Sequence, residues 1–134
     1  MKKSISLLLI VTFFVTLLTV SCKKNKEEEE AVVKTYSELI VGRWKTADAE
    51  PAYEVYNSDG TGKMWDTADD VNEDEADTFD WEIDQEHKTM TQTIHHQTGT
   101  AVEIQFCNII ILNETTLKYD NNAGRRVVTL TRVQ

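Results

Sequence analysis

Basic residues are scarce in this chain of 134 residues, where 14 Lys and Arg stand against 23 Asp and Glu for a formal net charge of -9. Such a balance excludes nucleic acid and other polyanions as electrostatic partners. Cysteine is nearly absent, with only Cys22 and Cys107. Signature motifs are missing as well: there is no Gly-x-Ser-x-Gly elbow, no phosphate loop, no His-Glu-x-x-His and no Cys-x-x-Cys. Carboxylate pairs are too common in so acidic a chain to assign as a catalytic acid and base. The sequence therefore reads as non-enzymatic and without a cofactor. What is present is 40% apolar residues, too many for a wholly disordered chain. The length fits one small domain.

The composition averages unlike parts. Lys2 and Lys3 precede a run without charge from residue 4 to residue 22, whose centre at residues 7–18 is apolar. A spanning helix needs roughly 20 consecutive apolar residues, and here Ser4, Ser6, Thr12, Thr16 and Thr19 dilute the run. A removed targeting segment is the better reading. The ending Leu18-Thr19-Val20-Ser21-Cys22 resembles a bacterial lipoprotein signal, with Thr19 where leucine is usual. That resemblance implies removal of residues 1–21, acylation of Cys22, and a lipid bilayer as partner; the alternative is an ordinary cleaved signal or an N-terminal anchor helix with an incidental cysteine. Several acyl chains acting together give stable anchoring, each buried methylene contributing roughly 0.8 kcal/mol.

Removal of residues 1–21 leaves 113 residues with 12 basic against 23 acidic side chains, a charge of -11. With Cys22 acylated, Cys107 has no partner in the chain and no disulfide staple is available. A plain hydrophobic core must suffice, and a chain of this size can bury roughly two-thirds of its unfolded surface. Residues 22–38 read as a tether, since Lys23-Lys24-Asn25-Lys26-Glu27-Glu28-Glu29-Glu30 contains no apolar residue and stays solvated. The basic step followed by acids resembles the surface-export signal of lipoproteins of the Bacteroidetes group. A simple spacer fits equally well, so an outer-membrane, lipid-anchored location is expected with surface display and periplasmic residence both open.

From residue 39 the hydrophobic pattern has period two, punctuated by Gly and by Asn/Asp pairs, and predicts an all-β domain over residues 39–134. Phe79, Trp81 and Ile83 alternate with Asp80, Glu82 and Asp84, which buries one face and leaves the other charged. Residues 53–56 and 62–65 flank Asn57-Ser58-Asp59-Gly60-Thr61, a hairpin in which Gly60 supplies a positive φ. In residues 88–96, Met90 and Ile94 face one side and the threonines the other. Over residues 101–112, Val102, Ile104 and Phe106 are expected to point inward, with a bulge near Cys107 and Asn108 before the run Ile109-Ile110-Ile111-Leu112. Residues 32–39 have room for one short helical turn. Seven or eight short antiparallel strands in an up-and-down meander must manage their exposed edges. Closure, or near closure, into a barrel does so, and a sandwich is the competitor.

The first strand opens with Gly42-Arg43-Trp44 and the last carries Thr131-Arg132-Val133. This pattern resembles the lipocalin-like proteins of the calycin group, most closely the short lipocalin-like lipoproteins of Bacteroidetes. The resemblance implies that Trp44 sits at the closed end of the barrel with Arg132 lying across it, and that Gly42 belongs to the same signature. Physical chemistry points the same way. Val128, Leu130 and Arg132 share a strand face, and an inward arginine is costly unless it is stacked and hydrogen-bonded. An indole offers that stacking, worth roughly 0.5 to 2 kcal/mol.

Two functional classes follow. In one, the barrel captures a small apolar or amphipathic molecule at the cell envelope, with Tyr53, Tyr56, Trp65 and Trp81 as candidate ligand walls. In the other, Phe79, Trp81, Met90 and Phe106 fill the barrel, and the protein is a structural or interaction lipoprotein that meets a protein partner. Residues 64–87 hold eleven acids and no Lys or Arg. Asp66, Asp69, Asp70 and Asp74 are weak calcium candidates, against the alternative of a solvated loop. Adjacent His95 and His96 point to opposite strand faces, and His87 is eight residues away, so a zinc site is not expected. Cys107 reads as a small apolar packer.

Overall fold

The computed structural model describes residues 33–121 and 126–134; the targeting segment, Cys22 and the charged tether up to residue 32 lie outside the described residues. Val33–Gln134 forms one compact unit. It opens with a short helix, α1 (Tyr36–Ile40), started by a capping box in which the Thr35 side chain accepts from Glu38 N and the Glu38 carboxylate accepts from Thr35 N. The helix draws residues 36–38, placed in the tether by sequence reading, into the folded unit.

Eight strands follow: β1 (Gly42–Lys45), β2 (Ala52–Tyr56), β3 (Thr61–Asp66), β4 (Asp77–Asp84), β5 (Thr89–His95), β6 (Val102–Leu112), β7 (Thr116–Asn121) and β8 (Arg126–Arg132). Each pairs antiparallel with the next, and β8 returns to β1 through Trp44↔Arg132 and Lys45↔Thr131. The result is a closed up-and-down barrel rather than a sandwich, with no free strand edge. Gly60 takes φ +86° in the β2–β3 hairpin, where Asn57 N donates to Thr61 O at 2.8 Å.

The core is asymmetric along the barrel axis. At the end that holds α1, Ile40, Trp44, Met90, Leu112, Leu117 and Leu130 are buried. There the Arg132 guanidinium lies 4.2 Å from the centroid of the Trp44 ring. The two side chains also satisfy the last carbonyls of α1, which have no partner within the helix. Trp44 Nε1 donates to Ile40 O at 2.7 Å, Arg132 Nη1 to Val41 O at 2.8 Å, and Arg132 Nη2 to Leu39 O. Arg132 Nε reaches Glu114 O at 2.7 Å. Gly42 sits beside them with φ +139°, and a Cβ there would overlap Arg132 Nη1. The indole, the guanidinium and the glycine together plug one end with a helix.

Strand β4 follows its expected faces, with Phe79 buried and Asp80, Glu82 and Asp84 exposed. Strand β6 does not. Val102, Ile104 and Phe106 are 55%, 52% and 60% exposed and form a stripe on the outside of the barrel. Register decides the matter: Cys107 pairs with the buried Met90, and Glu103 with the buried Ile94, so the odd-numbered positions face inward. The bulge also lies further on, between Ile109 and Ile111, which lets Ile109 and Leu112 point inward while Ile110 and Ile111 point out. Phe106 therefore fills no interior space, while Phe79 and Met90 do and Trp81 is half-buried.

Candidate functional site

The candidate site lies at the end of the barrel opposite α1. Between the outer ends of β2 and β3, the segment that joins β3 to β4, and residues 97–98 lies a cavity of about 600 Å³. Ala52, Met64 and Val71 give it an apolar portion, and among the described residues six acids line it, Glu54, Asp66, Asp69, Asp70, Glu75 and Asp77, with no Lys, Arg or His. The acidic segment is held in place by its own local bonds. Asp66 accepts from Ala68 N at the start of one 3-10 turn, Thr67–Asp69, and Asn72 with Glu75 forms a capping box on another, Glu73–Glu75.

Glu54 is the group that reaches into the barrel. It shares the inner face of β2 with Ala52 and Tyr56 and is only 8% exposed. Its Oε2 accepts from the Tyr56 hydroxyl and its Oε1 from the Tyr119 hydroxyl, each at 2.6 Å. Gln92 Nε2 donates to the Tyr56 oxygen at 2.8 Å, and Cys107 Sγ lies 3.8 Å from Gln92 Oε1. Every donor in this chain points toward the carboxylate: thiol to amide oxygen, amide to phenol, phenol to Glu54. Burial pushes the Glu54 pKa above its ordinary value, and the two phenol hydrogen bonds oppose that rise. Burial together with the Glu54 charge pushes both Tyr56 and Tyr119 well above the ordinary phenol range, so they remain donors. Burial also pushes the Cys107 thiol up to about 12.

The four aromatic candidates do not form one wall. Tyr56 and Trp81 are inside, edge to face at 5.8 Å, with Trp81 Nε1 donating to Thr61 O. Tyr53 and Trp65 are paired on the outer face of β2 and β3, stacked at 4.9 Å under the Arg43 guanidinium, which also pairs with Glu73. Both of the latter residues also contribute to the cavity lining. Asp66, Asp69 and Asp70 share the cavity lining and Asp74 is not part of it, and among the described residues no three of the His, Cys, Asp and Glu side chains converge as a metal site. Each histidine is instead tied to a carboxylate: His87 to Asp84, His95 to Asp80, and His96 to Asp77 at 2.7 Å. The Asp77 bond raises the His96 pKa.

Sequence reading missed Glu54, Gln92 and Tyr119. A signal was present in each case: Gln92 stands in phase between Met90 and Ile94, Glu54 in phase between Ala52 and Tyr56, and Tyr119 in phase with Leu117. A polar residue in step with an apolar stripe points inward and must find partners there. Near the mouth β6 reverses its polarity, with Gln105 inside accepting from Asn121 Nδ2 at 2.6 Å while Ile104 and Phe106 face out.

Comparison of the chain with protein-family models, with curated proteins and with solved structures finds no match.

Proposed function

We propose that this chain is a lipid-anchored barrel of the bacterial cell envelope that binds a small amphipathic molecule in its mouth and catalyses no reaction on it. The observation that carries the binding reading is the cavity of about 600 Å³ with Glu54 at its inner side. Ligand pockets of roughly 300–1,000 Å³ combine apolar lining with a few converging polar groups, and this mouth offers Ala52, Met64 and Val71 beside a hydrogen-bonded carboxylate. The binding reading shifts from purely apolar to amphipathic ligands because the inner faces at the mouth carry Glu54, Gln92 and Gln105. Absence of catalysis is supported by Cys107, whose thiol is buried behind Gln92 with its pKa pushed up to about 12. The anchor rests on the segment that ends at Cys22 and its resemblance to lipoprotein signals.

Native mass spectrometry of the full chain purified from its own host tests both parts. The expected species carries acyl mass on Cys22 and a further non-covalent mass that is lost in a Met64→Trp variant. An unmodified Cys22 removes the anchor, and a bare barrel that retains no small molecule under gentle conditions contradicts carriage.

A second reading is favoured by a separate observation. Val102, Ile104 and Phe106 form an exposed apolar stripe on the barrel exterior, and stripes of that kind mark contact surfaces. In that reading the protein is an interaction lipoprotein and the mouth is incidental. Replacing all three by serine would abolish partner capture there, while leaving small-molecule retention in the mouth intact.

A further inference from the structure

We propose that the molecule held in the mouth carries an amine cation, seated against the Glu54 carboxylate with its apolar part beside Ala52, Met64 and Val71. This rests on the reading of the mouth as a binding cavity and names the chemistry that the cavity selects.

The starting point is a carboxylate with an unusual set of partners. Glu54 lies inside a β-barrel, and none of the ion pairs among the described residues includes it. Its partners are two phenols, which donate hydrogen bonds but bring no positive charge. A buried carboxylate is ordinarily paired with a cation or coordinates a metal. Arg126, at the mouth end of β8, acts on Tyr119 through its charge but forms no ion pair with Glu54, and three other basic side chains are engaged elsewhere. Arg43 pairs with Glu73 outside the barrel, Arg132 is held by the carbonyls of α1 at the far end, and His96 is bonded to Asp77.

Geometry leaves room for a further donor. A carboxylate has about four lone-pair positions, and the two tyrosines take one on each oxygen of Glu54. The cavity that Glu54 lines supplies the approach, and among the described residues no basic side chain lines it. An ammonium entering there gains a charge-assisted hydrogen bond. An alcohol gains a weaker one, and a carboxylate ligand meets Glu54 together with Asp66 and Asp77 as like charges. The apolar lining at Ala52, Met64 and Val71 then favours an amine that bears a hydrocarbon portion over a bare ammonium or metal ion.

A matched series of one chain length and three charges tests this: octylamine, 1-octanol and octanoate, titrated calorimetrically into the full chain at neutral pH. The expected order is octylamine at least tenfold tighter than octanol, with octanoate weakest. Raising salt from 20 to 500 mM should weaken octylamine severalfold and leave octanol unmoved, because only the amine uses charge. Glu54→Gln should bring octylamine down to the affinity of octanol. Met64→Trp, which obstructs the cavity without touching the carboxylate, should weaken the amine even if the Glu54 variant fails to fold. Octanol or octanoate binding as tightly as octylamine would overturn the cation while leaving the cavity as a binding site. Failure of all three to bind would overturn both.

Discussion

Substitution of Gly42 by alanine puts the plugged end of the barrel under direct test. Gly42 has φ +139°, where a side chain strains the backbone, and the new Cβ would occupy the place of Arg132 Nη1. The backbone part costs about 1–3 kcal/mol. Displacing the guanidinium loses hydrogen bonds from a charged donor to Val41 O and Leu39 O, worth about 1.5–3 kcal/mol. The sum of about 2.5–6 kcal/mol is a large share of the stability of a small domain. At roughly 4–8 °C of Tm per kcal/mol for a domain of this size, the fall is at least about 10 °C. The assay is thermal unfolding by circular dichroism on four proteins: wild type, Gly42→Ala, Arg132→Met and the double variant. In the Arg132→Met background the alanine should cost only its backbone part, so the cycle should close with about 1.5–3 kcal/mol of coupling. Additivity within about 0.5 kcal/mol would refute the contact.

Three further outcomes follow from the same structure. Glu54 has its pKa raised above the ordinary 4.5, chiefly by burial. The folded chain therefore keeps a proton that the unfolded chain has released, so this contribution to stability is complete below about 4.5 and is lost as pH rises through the folded pKa. The Tm of wild type minus that of Glu54→Gln should thus decrease from pH 5 to pH 8, with the raised His96 cancelling because both proteins share it; an increase would reverse the assignment. Phe106→Ser should cost under about 1 kcal/mol in denaturant unfolding, as an exposed site does, whereas Phe79→Ala should cost about 3–5 kcal/mol as a large core truncation; equal losses would put Phe106 back inside the barrel. Cys107, buried with its thiol pKa pushed up to about 12, should resist iodoacetamide at pH 8 in the folded protein and react fully in denaturant; rapid labelling of the native state would contradict its burial.

Much of the barrel was legible because the information is local. The alternation of Phe79, Trp81 and Ile83 with acids fixes one strand face, Gly60 marks a hairpin, and the inward phase of Arg132 with Val128 and Leu130 places a charge that only an aromatic floor can seat. What misled was β6, where two phases compete. Val102, Ile104 and Phe106 offer one apolar set, and Cys107 and Ile109 the other. Pairing with Met90 and Ile94 selects the second, a long-range constraint that periodicity within one strand does not contain. The mouth was hidden for a related reason. Glu54, Gln92 and Tyr119 come from β2, β5 and β7, and their hydrogen bonds exist only once the barrel has closed. The aromatic candidates were chosen by residue type, and Tyr53 and Trp65 proved to lie on the face opposite to Tyr56.

The most direct test of the mouth as the binding site is a methyl NMR titration of the full chain with octylamine. Methyl signals of Ala52, Met64 and Val71 should shift together and saturate at one equivalent, while those of Ile40, Leu117 and Leu130 at the plugged end stay in place. Shifts confined to Val102, Ile104 and Val127 on the outside of the barrel, with the mouth methyls unmoved, would contradict the account.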